Sequence, residues 1–233
     1  MRRELYEAYF LKIREYLIAI DFETNPEGSS SMQIDLLQSA IGKPLPIAYR
    51  IWLQYFGNSM YHILLDGDKL TVSDCKRAND ELIERNFDLI NYDLFLAITY
   101  RSYADTFTLI KLENEDPEVF IFEASDVLSD SEIHFTIWIR EQIIIMLKLK
   151  ARIEGEKWIE KKEWLSIDAL PYNYGDGNTS TYHDYITRRQ AFSNIIYEQD
   201  LQRGELTLPD EFEDKWIAYM RANQLSHYLK LPD

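Results

Sequence analysis

Leu5, Tyr9, Ile13, Tyr16, Leu17 and Ile20 recur at steps of three and four residues, which keeps their side chains on one face of an α-helix. Asn25, Pro26 and Gly28 end that helix, and Gly28 to Ser31 read as a short linker or surface loop. From Met32 a second helix carries Ile34, Leu37 and Ile41 and stops at Gly42, a residue suited to the left-handed C-cap. Pro44 and Pro46 punctuate the step to a third helix. Its apolar face holds Tyr49, Trp52, Leu53 and Phe56, and Gly57 closes it.

The period then changes. Met60 to Leu65 and Leu70 to Val72 flank Asp66-Gly67-Asp68, and apolar runs around an Asp-Gly pair predict a hairpin. A short helix over Asp74 to Phe87 follows, then strands over Leu94 to Tyr100, Thr106 to Leu112 and Val119 to Phe122, with a loop from Glu113 to Pro117. Phe135, Trp138 and Ile139 open a core helix that runs past Leu149 toward Trp164.

Helices, a meander, then a helix predict an α+β domain with a mainly antiparallel sheet of about four to six strands. That sheet, from about Met60 to Phe122, is expected beneath helices containing Trp52 and Trp138. After Leu165, Pro171 and the turn Gly175-Asp176-Gly177 break the pattern. Helices over Tyr182 to Leu201 and Glu211 to Leu229 then suggest a helical extension. The expected division is a core over residues 1–150 and a C-terminal extension over 151–233 packing on it.

Composition adds constraints. A 46% hydrophobic chain of 233 residues can bury a core large enough to offset its conformational entropy. Twenty-five Lys and Arg against 40 Asp and Glu give a net charge of −15, which repels a nucleic-acid backbone. The basic residues Lys148, Lys150, Lys157, Lys161 and Lys162 are interleaved with Glu154, Glu156, Glu160 and Glu163, as on a solvated helix face. The lone Cys75 allows no intrachain disulfide and points to a reducing compartment. Glu4, Glu7, Lys12, Arg14 and Glu15 interrupt any signal-peptide apolar region, and Ile143 to Leu147 is far too short to span a bilayer. A soluble, cytoplasmic protein away from membranes is expected.

Little suggests catalysis or a cofactor. His62, His134, His183 and His227 are scattered and share no ligand spacing with Cys75, so no metal site is expected. Cys75, among Ser73, Asp74 and Lys76 at a predicted helix start, could have its pKa lowered by the helix terminus, but no local base or oxyanion donor accompanies it. Gly175-Asp176-Gly177-Asn178 lacks the Lys of a phosphate loop and the spaced acids of a calcium loop.

The distinctive charge feature is Glu113, Glu115, Asp116, Glu118, Glu123, Asp126, Asp130 and Glu132, because no Lys or Arg lies between Lys111 and Arg140. Two readings stay open: solvated loops flanking a strand, or an acidic face for a basic partner.

Ile34 to Ser59, IDLLQSAIGKPLPIAYRIWLQYFGNS, resembles the signature of the SUKH superfamily. There a short helix ending in Gly precedes a Leu-Pro pair, a Tyr-containing helix with an aliphatic or aromatic pair, and a small Asn/Gly turn. Ile41-Gly42, Leu45-Pro46, Tyr49, Trp52-Leu53 and Gly57-Asn58 occupy those places. Downstream, Asp105, the strands Thr106 to Leu112 and Val119 to Phe122, and Phe135 with Trp138-Ile139 follow the family's order, with Ala104 where Gly usually stands.

The resemblance covers roughly Met1 to Leu149. It implies a non-enzymatic immunity protein that occludes a secreted toxin, commonly a nuclease or deaminase. The superfamily's yeast regulators of cell-wall glucan synthesis offer an alternative, an intracellular regulatory scaffold. An enzyme using Cys75 is the third possibility.

Overall fold

The computed structural model describes residues 2–20, 26–58, 70–88, 90–123, 127–154 and 179–225. The chain forms two compact units, Met1–Gln142 and Ile143–Asp233.

In the first unit, α1 (Arg2–Ala19) buries Tyr6, Tyr9, Phe10, Ile13 and Leu17 along one stripe. Ser30 caps α2 (Ser31–Ile41): its Oγ accepts from Gln33 N, and Gln33 Oε1 accepts from Ser30 N at 2.8 Å. Gly42 ends this helix at φ 74°, as the sequence predicts. Pro46 precedes α3 (Ile47–Phe56), where a missing N–H leaves no helical bond unmade.

Gly28 to Ser31 is no free linker. Ser29 is buried, its N–H donates to Leu53 O at 2.8 Å, and Asn58 N donates to Glu27 O at 2.9 Å. Asn58 Nδ2 also donates to Gly28 O, while Ser29 Oγ lies 3.0 Å from Asn58 Oδ1. The Gly57-Asn58 turn thus clasps the segment before α2 against the end of α3.

Leu70 to Val72 is not a strand. Thr71 is extended but serves as the N-cap of α4 (Val72–Arg85), its Oγ1 accepting from Asp74 N at 3.2 Å. Capping chemistry thus outweighs a short apolar run. The expected strand Met60 to Leu65, the Asp66-Gly67 turn, the reach of the last core helix to Trp164, the Gly175 to Gly177 turn and the end of the last helix near Leu229 lie outside the described residues.

Strands β1 (Phe95–Arg101), β2 (Thr106–Lys111), β3 (Glu118–Glu123) and β4 (Val127–His134) form an antiparallel meander in the order β1-β2-β3-β4 among the described residues. The α+β class with an antiparallel sheet is therefore as expected, and the described strands include β4, which the sequence does not predict. Phe107 pairs with Tyr100 and Phe122, and Leu109 with Ala97 and Phe120. One face, with Ala97, Phe107, Leu109, Phe120 and Phe122, packs on Ala78 and Leu82 of α4. Leu96, Ile98, Ile110 and Val119 are buried as well, so the first three strands are apolar on both faces.

Helix α5 (Phe135–Glu154) follows β4 without a break, and the divide between the units falls within it. The division expected after residue 150 falls in the same helix. Trp52 and Trp138 are both buried, at 1% and 5% exposure. Helix α4 packs on the Phe107 face of the sheet.

The second unit contains α6 (Thr179–Arg203) and α7 (Pro209–Ala222). Tyr185, Phe192 and Ile196 meet Phe212, Trp216, Met220 and Ile144 in one apolar cluster. Gly204 turns the chain at φ 73°, and Asp200 then accepts from Thr207 N at 2.8 Å and Thr207 Oγ1 at 2.9 Å. Inside the cluster, Arg189 forms a buried ion pair with Glu213 and lies over the Phe212 ring at 4.9 Å. No helix among the described residues is long and apolar enough to cross a membrane.

Candidate functional site

Two regions bear on function: the helical joint that carries the sequence signature, and the acidic strands beyond it. In the joint, Trp52 stacks on Phe56 at 4.3 Å and meets Phe10 and Phe135 edge-on at 5.6 and 6.3 Å. Tyr49 meets Phe135 at 5.5 Å with their planes at 88°, and Phe135 stacks on Trp138. These aromatic residues make core contacts, as their helical spacing suggests. They bring the signature helix and the start of α5 into one core.

Asp105 occupies the turn before β2 at φ 50°, a conformation Asp tolerates better than most residues. Tyr100 Oη donates to its Oδ1 at 2.9 Å, and Arg85 pairs with the same carboxylate. Arg85 also bonds Glu81 at 2.8 Å and lies over the Tyr100 ring at 5.0 Å. The Asp found in the sequence is therefore a turn anchor between α4 and the β1–β2 hairpin. Arg85, its main partner, carries no sequence signal, because nothing in spacing links it to residues on the hairpin.

Cys75 is fully buried, and its thiol donates to Ala97 O at 3.4 Å. Burial, reinforced by the Asp74 charge, pushes its pKa up to about 12, against weaker lowering by Tyr49 and Asn79. The lowering expected from the helix terminus is overridden. The neighbouring Tyr49 hydroxyl is also pushed well above its usual range, chiefly by burial and then by Cys75. It has no well-formed hydrogen bond among the described residues beyond this weak sulfur contact. Asn79 ties α4 to β1 by donating to Ala97 O at 2.6 Å and accepting from Ala97 N at 3.2 Å. The β1 bulge between Ala97 and Thr99 lies where Asn79 occupies those backbone groups. At neutral pH the site holds a protonated thiol within the core.

The acids whose side chains are described do not share one environment. Glu113 pairs with Lys111 at 2.7 Å, and Glu115 approaches Arg2 at 3.7 Å; both acids are exposed. Asp116 is buried instead, its carboxylate accepting from Thr136 N at 3.1 Å and Thr136 Oγ1 at 2.5 Å. It therefore leaves the expected surface set and satisfies the first turn of α5.

The backbone of the same loop accepts from Ala48 N through Glu115 O and from Phe135 N through Pro117 O. Its acidic sequence thus ties together α3 and α5. Glu118 is half-buried opposite His134, and Glu123 is exposed opposite Val127, at the other end of β3 about 16 Å away. Asp130 and Glu132 lie on β4, and Asp126 lies outside the described residues.

Among the described residues no group of three or more His, Cys, Asp or Glu could hold a metal ion. Comparisons with family models, curated proteins and solved structures find no match to this chain.

Proposed function

We propose that this chain is a non-catalytic protein of the SUKH type, an immunity protein that binds and occludes a toxin domain of nuclease or deaminase class in the cytoplasm. The observation that carries this reading is the aromatic joint. Trp52, from the segment resembling the SUKH signature, and Phe135, from the downstream block, meet edge-on in one core. Shared packing is what two such blocks require if they define a single fold.

The state of Cys75 argues against the competing nucleophile. A thiol with pKa about 12 and no access to solvent supplies almost no thiolate at neutral pH. The charge of −15 favours a basic partner and opposes direct nucleic-acid binding. A protein that blocks a nucleic-acid enzyme gains from carboxylates placed where phosphates would lie.

The test is co-expression with a toxin-domain protein that co-purifies with this chain. Cells should grow normally with both proteins and arrest with the toxin alone. Arrest that persists at full expression of this chain would refute the immunity role.

A further inference from the structure

We propose that the outer face of α2, formed by Met32, Leu36, Ser39 and Ala40, is the contact surface of a weak two-fold dimer, with a second copy of this chain as its occupant and Leu36 on the axis. This goes beyond the toxin-binding reading and stands or falls apart from it.

Helix α2 turns Ile34 and Leu37 into the core and leaves Met32 and Leu36 71% and 62% exposed. Four residues apart, these two lie one above the other on the opposite face, in line with Ser39 and Ala40, which are exposed too. Among the described residues no other two strongly exposed large apolar side chains stand one helical turn apart.

The polar groups beside this stripe already have partners. Ser39 Oγ donates to Asp35 O at 2.8 Å, within its own helix. Gln33 Oε1 accepts from Ser30 N, and Asp35 is paired with Arg50 of α3. Covering the face therefore removes apolar surface from water and leaves those groups their hydrogen bonds.

Charge selects a second copy. The chain as a whole carries −15, yet residues 26–50 set Glu27 and Asp35 against Lys43 and Arg50, a net charge of zero. Repulsion between copies is weakest where such a neutral stretch faces its like, and a strongly charged partner gains nothing from it.

The stripe also fits itself. About an axis through Leu36, antiparallel helices place each Met32 opposite the other copy's Ala40, a large side chain against a small one. The Lys43 end of each helix then lies beside the Glu27 end of the other. An eleven-residue helix is only about 16 Å long, so one such pair buries less than the roughly 1,200–2,000 Å² of a stable interface, and association is weak.

The experiment is sedimentation equilibrium on the full chain. Between about 10 μM and 1 mM the average mass should rise from monomer toward dimer. Added salt should strengthen association, because it screens the charges carried elsewhere on both copies. Leu36→Glu, at an exposed position, should keep the melting temperature and hold the chain monomeric. Ile83→Glu, at a site 64% exposed on α4, should associate as the unchanged chain does. A monomer throughout that range, association that weakens with salt, or association that survives Leu36→Glu would overturn the proposal.

Leu36→Cys tests the axis itself. A residue on a two-fold axis meets its own copy, so oxidation with diamide should link this variant into a disulfide dimer and leave Ile83→Cys largely unlinked. The natural Cys75 is buried and takes no part. Equal linking at the two positions would also overturn the proposal.

Discussion

The carboxylate of Asp116 receives both the backbone N–H and the hydroxyl of Thr136, so an acid from the β2–β3 loop caps the helix that carries Phe135 and Trp138. Replacing this buried carboxylate leaves two donors of the first turn without their acceptor. Asp116→Ala should cost about 2–3 kcal/mol of stability, whereas Glu115→Ala, with an exposed ion pair, should cost under about 0.5 kcal/mol. Urea unfolding of the two variants checks the contrast. Equal, small losses would show that Asp116 is ordinary surface.

A methyl group on Gly28 would lie 1.7 Å from Gln54 O, so the clasp between this segment and α3 excludes any side chain. Gly28→Ala should therefore destabilise the chain by about 3 kcal/mol or more, through forced separation of the two backbones. Gly204→Ala meets no neighbouring atom and suffers only from φ 73°, for a cost of about 1 kcal/mol. Thermal melts of both variants measure the difference.

Alkaline pH should weaken the first unit. In the unfolded chain the Cys75 thiol ionises near 8.5, whereas in the fold its pKa is about 12. Between those values the native state holds the extra proton, so stability falls as pH rises, by up to about 1.4 kcal/mol per pH unit. Below that window the contribution is fully present. Tyr49, also raised, adds a loss of the same sign at higher pH. Cys75→Ala should melt less steeply with pH between about 8 and 10, and should bind its partner as the unchanged chain does. Identical pH slopes would contradict the buried thiol.

In the second unit, the buried pair Arg189 and Glu213 sets α6 against α7. Glu213→Gln leaves a buried guanidinium with a weakened partner, and Arg189→Met leaves a buried carboxylate. Each single change should cost about 3–5 kcal/mol, while Arg189→Met with Glu213→Leu should recover much of the loss. A double-mutant cycle by denaturant unfolding measures the coupling.

The helices were legible because their signals are local. Ile34, Leu37 and Gly42, or Tyr49, Trp52, Phe56 and Gly57, declare both an apolar face and an end within one segment. Strands β1 to β3 were legible for the same reason, being apolar enough to bury both faces.

Strand β4 was not, because VLSDSEIH reads as a solvated acidic loop until β3 supplies the ladder. The Leu70 to Val72 strand failed because Thr71 caps a helix, and a three-residue apolar run cannot reveal which will prevail. For the candidate surface, sequence found the run of acids. It could not separate Asp116, held by Thr136 twenty residues away, from its exposed neighbours. The anchor Arg85 joins Tyr100 and Asp105 only through the fold.

Charge on the exposed acids should act on the rate of association more than on stability. Glu113, Glu115 and Glu123 changed together to Lys should leave the melting temperature nearly unchanged and slow association with a basic toxin at low salt. Stopped-flow binding at two salt concentrations measures this, and unchanged rates would reduce these acids to a solvated surface.

The most direct measurement is a titration of the purified toxin's enzymatic activity with this chain. Occlusion by a non-catalytic binder requires activity to fall in proportion to added chain and vanish at one equivalent, with both proteins chemically intact afterwards. Abolition by a small fraction of an equivalent, or a covalent change in the toxin, would show turnover and contradict a binding protein.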